Sequence, residues 1–251
     1  MTLNVPTGKS VLLFSGGMDS LIAAWLVRPD VLLFLRHGQR YQQLEEQGLA
    51  RLRAGGFLPP GARLVESDAL RLGEFERAHA IIPLRNLLFV ALAAQYGETV
   101  YLAAMSGDRS LDKSEGFFSR ATDLLTFLYG AQHWCQGRVV RVQAAFPRWT
   151  KTEAVRHYLA AGHSAAALLA SPSCYDPPGD RRHFAACGWC KPCFRKWVAL
   201  ANNGVAVPYG YFGRDPWEAP WLADVTAQLE AGTYRGAEDA EWLAALAAVR
   251  T

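Results

Sequence analysis

Apolar residues along the chain fall in short blocks separated by polar turns, and the blocks alternate in type. Residues 11–14 (Val-Leu-Leu-Phe) form an apolar run ending at Ser15-Gly16-Gly17, and residues 20–27 carry apolar side chains on all sides of a helix. That is the pattern of a buried strand turning into a buried helix. Residues 31–35 repeat the strand. Residues 41–54 are helical in period, with Leu44, Leu49 and Leu52 on one face, and stop at Gly55-Gly56. Residues 63–65 read as a third strand, residues 87–96 as a long apolar helix led in by Pro83, and residues 99–103 as a fourth strand. Strands alternating with helices predict an α/β fold built on an open, doubly wound parallel sheet, with ligands beyond the carboxyl ends of the strands. After residue 150 the strand signal fades into a helix over 151–161, a cysteine segment and a Pro/Trp-rich stretch over 208–221. We therefore expect an α/β core over 1–150 and a smaller, helical C-terminal subdomain over 151–251.

Composition narrows the class. The 251 residues are 51% hydrophobic and 20% charged, with a net charge of +3, and such a chain buries a sizeable core as one large domain or one domain with an appendage. The longest apolar runs, residues 87–94 and 242–249, have eight members, against roughly 20 for a membrane span. Residues 1–10 lack the basic and apolar stretches of a secretion signal, so we expect a reducing cytoplasm and free thiols. The basic residues that do cluster, Arg181-Arg182 and Lys191 to Lys196, sit beside cysteines, which argues for metal rather than nucleic acid.

Two strings carry chemistry. Phe14-Ser15-Gly16-Gly17-Met18-Asp19-Ser20 places two glycines between a buried strand and a helix that continues through Leu21. Glycine lets the backbone approach a ligand, and successive N–H groups at a helix start form an anion cradle. Ser15 and Ser20 can donate to phosphate oxygens, and Asp19 beside an anion makes sense as a holder of Mg²⁺ or of the loop. Gly8-Lys9-Ser10 resembles the end of a Walker loop, but the position that needs the first glycine is Leu3 and the tripeptide precedes the strand. The second string joins Cys174 to Cys187, Cys190 and Cys193. Four thiolates close a tetrahedral zinc shell; buried free thiols and an iron–sulfur cluster are alternatives the spacing leaves open. Cys135, beside Trp134, reads as an apolar filler, and His183 is left out because four thiols complete the shell.

The first string resembles the PP-loop ATP pyrophosphatases, which cleave ATP between the α- and β-phosphates and pass AMP to an oxygen of the substrate. Three further strings sharpen the resemblance: Arg36-His37-Gly38-Gln39-Arg40 with Leu44-Glu45, Pro83-Leu84-Arg85-Asn86, and Thr150-Lys151-Thr152-Glu153-Ala154. With Ser173-Cys174-Tyr175 and the C-G-x-C-x-x-C run they are similar to the 7-cyano-7-deazaguanine synthases of the queuosine pathway. That resemblance implies conversion of 7-carboxy-7-deazaguanine to a nitrile with ATP and ammonia, Mg²⁺, a four-cysteine zinc site and a homodimer. It implies ATP contacts from residues 14–21 and from Gln39, Arg40 and Asn86, and catalytic roles for Asp19, Arg85 and Lys151. Without it, Gly-Gln-Arg is a turn, Arg85 an anion site at a helix start, and Thr150 with Glu153 a capping box that has no need of Lys151.

Two segments depart from that family. Where its members carry a Tyr-Pro-Asp-Cys-Arg-like string after the fourth strand, this chain has residues 107–118, with Asp108, Arg109, Asp112, Lys113 and Glu115; we expect Asp112 to accept from the base edge and Lys113 or Arg109 to hold the reacting carboxylate. The chain also continues over 208–251 with aromatic residues expected to cover the core. Rival readings are a ligase that stops at an amide with an amine on another molecule, a protein acceptor included; a tRNA-thiolating relative, which would want a basic RNA face; and a nucleotide-sensing subunit without turnover.

Overall fold

A computed structural model describes residues 8–133, 136–146, 148–176 and 185–249. Trp134, Cys135, Arg181, Arg182 and His183 lie outside the described residues. Five strands form one sheet: β1 (Ser10–Leu13), β2 (Val31–Leu35), β3 (Arg63–Ser67), β4 (Thr99–Leu102) and β5 (Arg141–Ala144). Their order is β3-β2-β1-β4-β5 and every pairing is parallel, with Val11 opposite Val31 and Val100, and Val100 opposite Val142. The chain winds outward from β1 through β2 to β3, then crosses to β4 and β5. The doubly wound parallel sheet read from the alternation is the architecture observed, and the reversal between β1 and β4 opens a crevice at their carboxyl ends.

Alternation along the strands divides the core in two. Leu12, Phe14, Leu32 and Phe34 face α1 (Met18–Val27), α2 (Gln42–Ala54) and α5 (Lys151–Ala160), while Val11, Val31, Leu33, Val100 and Val142 face α3 (Arg85–Ala93) and α4 (Glu115–Leu128). All five residues of β2 are buried, as a central strand covered on both faces requires. Ala154, Val155 and Tyr158 of α5, Leu168 of α6 (Ala165–Ala170), and Ala199 and Leu200 of α7 (Lys191–Ala201) join the first of these cores.

The tail covers the core, as its aromatic residues led us to expect. Phe194, Trp197 and Val198 of α7 pack with Leu222 and Val225, with Leu229 of α8 (Thr226–Glu230), and with Trp242, Ala245 and Leu246 of α9 (Ala237–Ala248). Trp242 meets Phe194 edge-on at 4.7 Å between ring centroids. No helix among the described residues is long and apolar enough to cross a membrane.

Candidate active site

The loop after β1 is anchored where the sheet winds apart, because the Phe14 N–H donates to the Leu33 carbonyl of β2 at 2.9 Å. Gly16 then takes φ +71°, a left-handed conformation that favours glycine, with the α2 backbone at Glu45 and Leu49 in van der Waals reach of where a Cβ would stand. Gly17 caps α1. The Ser20 hydroxyl donates to the Gly17 carbonyl at 2.9 Å, and the Gly17 N–H donates to Ser15 Oγ at 3.3 Å. The turn is thus held by its own hydroxyls around the start of a ten-residue helix, the positive end of a peptide-dipole array.

Lys151 opens α5, whose start is fixed by the capping box between Thr150 and Glu153. Its Nζ lies 2.5 and 2.7 Å from the two carboxylate oxygens of Asp19. Burial pulls the ammonium below its ordinary pKa, and Asp19 is the charge that opposes the shift. The capping box does not call for this lysine.

These groups line a cavity of about 1210 Å³ over the carboxyl ends of β1, β2 and β4. On the β2 side, Arg85 at the start of α3 donates to the Tyr41 hydroxyl at 2.9 Å, and Tyr41 stacks on Tyr175 with centroids 4.7 Å apart. Burial pushes the Glu45 carboxyl up to about 8, against the Arg85 cation and a hydrogen bond from Gln39 Nε2 at 2.6 Å. Burial likewise pushes the His37 imidazole down to about 4, and its Nε2 has no partner among the described residues. Leading into Arg85, His79, Ala80 and Leu84 all sit at φ +61°; three non-glycine residues in the left-handed region beside one cavity are strain of the kind functional sites retain.

On the β4 side, Asp108 accepts from Lys113 Nζ at 3.0 Å and from Arg195 Nη1 at 3.3 Å, while Arg195 Nη2 also reaches Glu238 of α9 at 2.6 Å. Burial alone would raise the Asp108 carboxyl; the two cations override it and hold it well below the usual carboxylate range. This network ties the loop after β4 to α7 and to the tail.

The four cysteines converge at the start of α7. Their sulfurs all lie within 4.8 Å of one another, with Cys187 to Cys193 and Cys174 to Cys190 at 3.9 Å. Tetrahedral ligation of one ion at about 2.3 Å per sulfur sets sulfurs about 3.8 Å apart, so the donor set fits a single thiophilic metal ion. Cys190 is the N-cap residue and its N–H donates to Cys187 Sγ at 3.3 Å.

Of the residues expected from sequence, Phe14, Ser15, Gly17, Met18, Asp19, Ser20, Arg40, Arg85, Asn86, Lys113 and Lys151 line the cavity. Gly16 shapes the loop beneath it and Leu21 is fully buried in the core. Gln39 is buried under Glu45 rather than lining the space, and the Arg40 guanidinium pairs with Glu76. Asp112 is not among the lining residues; its carbonyl accepts from Asn86 Nδ2 at 3.2 Å, and Asp108 stands at the wall instead. Sequence reading passed over Tyr41, Arg195 and Arg235. A signal for Arg195 existed, since Arg195-Lys196 interrupts the apolar run from Cys193 to Ala201 in α7.

The sequence profile described as "Queuosine biosynthesis protein QueC" matches residues 63–204, more than half of the chain. The chain belongs to the QueC family. Among curated QueC relatives, the 7-cyano-7-deazaguanine synthase of Citrifermentans bemidjiense is 28% identical over 230 residues, covering 81% of this chain and 97% of its own. The synthase of Anaeromyxobacter sp. (strain Fw109-5) is 28% identical over 236 residues, with 82% and 97% covered. Among solved structures, "U34-tRNA thiolase NcsA from Methanococcus maripaludis with its [4Fe-4S] cluster" aligns over 98% of this QueC-family chain and 73% of its own, at 11% identity and a TM-score of 0.36, a level at which the likeness decides neither function nor metal.

Proposed function

We propose that the chain is an ATP-dependent C–N ligase that adenylates the carboxylate of 7-carboxy-7-deazaguanine and lets ammonia displace AMP, continuing to the nitrile. The observation that carries this reading is the pairing of Asp19 with Lys151 in a glycine-built cradle at the sheet's switch point, in a chain of the QueC family.

A carboxylate is a poor electrophile. In the first step its oxygen bonds to the α-phosphorus of ATP and the bond to pyrophosphate breaks, so the negative charge that develops on the leaving group needs fixed donors. The backbone N–H groups and hydroxyls of residues 15–20, with the Lys151 ammonium, supply them without reorganisation. Asp19 offers hard oxygen ligands beside that cradle and would hold Mg²⁺, which neutralises phosphate charge when bound. In the second step the nitrogen lone pair attacks the acyl carbon, a proton leaves the nitrogen, and AMP departs. A second adenylation, of the amide oxygen, followed by loss of AMP gives the nitrile. Gln39, Arg40 and Asn86 are carried as ATP contacts by resemblance, and Arg85 as a cation toward the reacting phosphates.

Cys174, Cys187, Cys190 and Cys193 would hold one zinc ion, which would lock the start of α7 against residues 171–175; four thiolates leave no open position, so its contribution is to the fold. The homodimer implied by resemblance stays part of this reading, and the exposed Leu124, Phe127 and Leu128 of α4 are apolar surface that would support it.

A second reading, a ligase that stops at the amide with an amine on another molecule, is favoured by the loop after β4, which differs from the family string and is pinned to the tail through Arg195. Incubation with ATP, Mg²⁺, 7-carboxy-7-deazaguanine and ammonia, followed by mass spectrometry, separates them. The proposal expects amide and then nitrile. Acid recovered unchanged contradicts it, and amide alone favours the second reading.

A further inference from the structure

The tail does more than cover α7. Arg235, which follows the last tail loop before α9, lines the cavity with Lys191 and Trp221, and its Nη1 donates to the Gly107 carbonyl of the loop after β4 at 2.6 Å. Three cations lie over the buried ring of Tyr234: Arg109 at 5.1 Å, Arg235 at 5.5 Å and Lys191 at 5.7 Å from its centroid; Arg235 and Lys191 line the cavity, whereas Arg109 and Tyr234 are not among its lining residues. None of the three has a carboxylate partner among the described residues. The nearby carboxylates are engaged elsewhere. Asp108 and Glu238 pair with Lys113 and Arg195, and Asp239 accepts from the backbone N–H groups of Tyr234 and Arg235. Five cations therefore stand against three carboxylates.

The neutral groups point the same way. Arg235 Nε, Trp189 Nε1 and the Tyr234 hydroxyl are buried and have no hydrogen-bond partner among the described residues. Each is a donor, and the first two belong to residues lining the cavity. Buried donors without acceptors cost free energy that an anion with several oxygens recovers, and the exposed Arg109 and Lys191 add attraction for it. A guanine-like edge, which presents ring N–H and amino donors, is poorly served by such a wall.

We propose that the tail adds an oxyanion-binding subsite at the edge of the cavity, separate from the residue 15–20 cradle, in which Lys191 and Arg235, with the exposed Arg109 beside Tyr234, take a carboxylate or phosphate group. Where that group is the carboxylate of the acyl substrate, the assignment rests on the deazaguanine reading above; the oxyanion chemistry does not.

Calorimetry on the full chain tests it, with inorganic pyrophosphate as one probe and 7-carboxy-7-deazaguanine against its uncharged amide as the other. Arg109→Gln/Lys191→Gln changes two exposed side chains and leaves the buried network in place; Arg235→Gln is the second variant, and thermal melting checks that both fold. A phosphate occupant gives two pyrophosphates per wild-type chain and one in the variants. A carboxylate occupant gives a wild-type preference for acid over amide of about tenfold that both variants lose. One pyrophosphate per wild-type chain with equal affinity for acid and amide overturns the subsite, as does wild-type behaviour in both variants. Failure of acid and amide alike to bind any of the proteins counts against the deazaguanine reading, while pyrophosphate stoichiometry still decides the subsite.

Discussion

Lys151 and Asp19 lie 132 residues apart in sequence, yet the lysine ammonium sits 2.5 and 2.7 Å from the two oxygens of the aspartate. One opens α5 and the other lies in the first turn of α1, so folding alone brings a cation to the loop after β1. The pair predicts that Asp19→Asn abolishes pyrophosphate release while circular dichroism stays near wild type, with a lower melting temperature because the buried Lys151 loses its counter-charge. Lys151→Met should lower turnover on the order of 10²–10³-fold, the loss typical of a donor to developing charge. Ser15→Ala should be milder, since backbone donors remain. Near-normal turnover in Asp19→Asn would place the phosphate site elsewhere.

The cysteine cluster predicts one zinc ion per chain. Cys190→Ser removes a ligand that also caps α7, so metal content and stability should fall together, with a melting temperature lower on the order of 10 °C. Elemental analysis alongside calorimetry checks it, and a metal-free, fully stable Cys190→Ser protein would contradict a structural metal.

Glu45 predicts a pH dependence of opposite sign to that of an ordinary paired carboxylate. Its carboxyl titrates near 4.5 when unfolded and at about 8 when folded, chiefly through burial against the Arg85 and Gln39 contacts. The folded protein therefore holds a proton that the unfolded chain has lost, and this contribution to stability is full below pH 4.5 and declines as pH rises to about 8. Glu45→Gln should flatten that decline in urea titrations across the window; an unchanged slope would show that Glu45 titrates normally.

Tail packing predicts that Trp242→Ala costs about 3–5 kcal/mol, the range for removing a fully buried aromatic side chain, because Trp242 fills the space among Phe194, Trp221 and Tyr234. Chemical denaturation measures this directly. A loss below about 1 kcal/mol would mean that the tail is not part of the cooperative core.

The loop after β4 divides two aspartates. Asp108 stands at the cavity wall between Lys113 and Arg195, whereas Asp112 presents its carbonyl to Asn86. Asp108→Asn should therefore raise the concentration of deazaguanine substrate required far more than that of ATP, and Asp112→Ala should do less. Equal effects of Asp112→Ala and Asp108→Asn would return the base-reading role to Asp112.

Much of this was legible because parallel strands advertise themselves. Residues 31–35 are a continuous apolar run because both faces of β2 are covered, and Ser15-Gly16-Gly17 between an apolar run and a helical stretch marks the turn from β1 to α1. α4 and β5 were not legible. β5 is a four-residue edge strand with Arg141 and Gln143 exposed, too short to show a period, and α4 begins within the charged loop, where its cap, Ser114, is one serine among many. At the site, Asp19 and Lys151 were found through strings at element starts. Arg195 and Arg235 were not, because their meaning lies in partners 87 and 128 residues away, Asp108 and the Gly107 carbonyl, which only the packed α7 and α9 bring into reach.

The central claim is that ATP is opened between its α- and β-phosphates to activate a deazaguanine carboxylate. The most direct measurement is anion-exchange chromatography of nucleotides after incubating the protein with ATP and Mg²⁺, with and without 7-carboxy-7-deazaguanine. The account predicts AMP and pyrophosphate in equal amounts, dependent on the acid and absent in Asp19→Asn; ADP and phosphate, or AMP formed at the same rate without the acid, would contradict it.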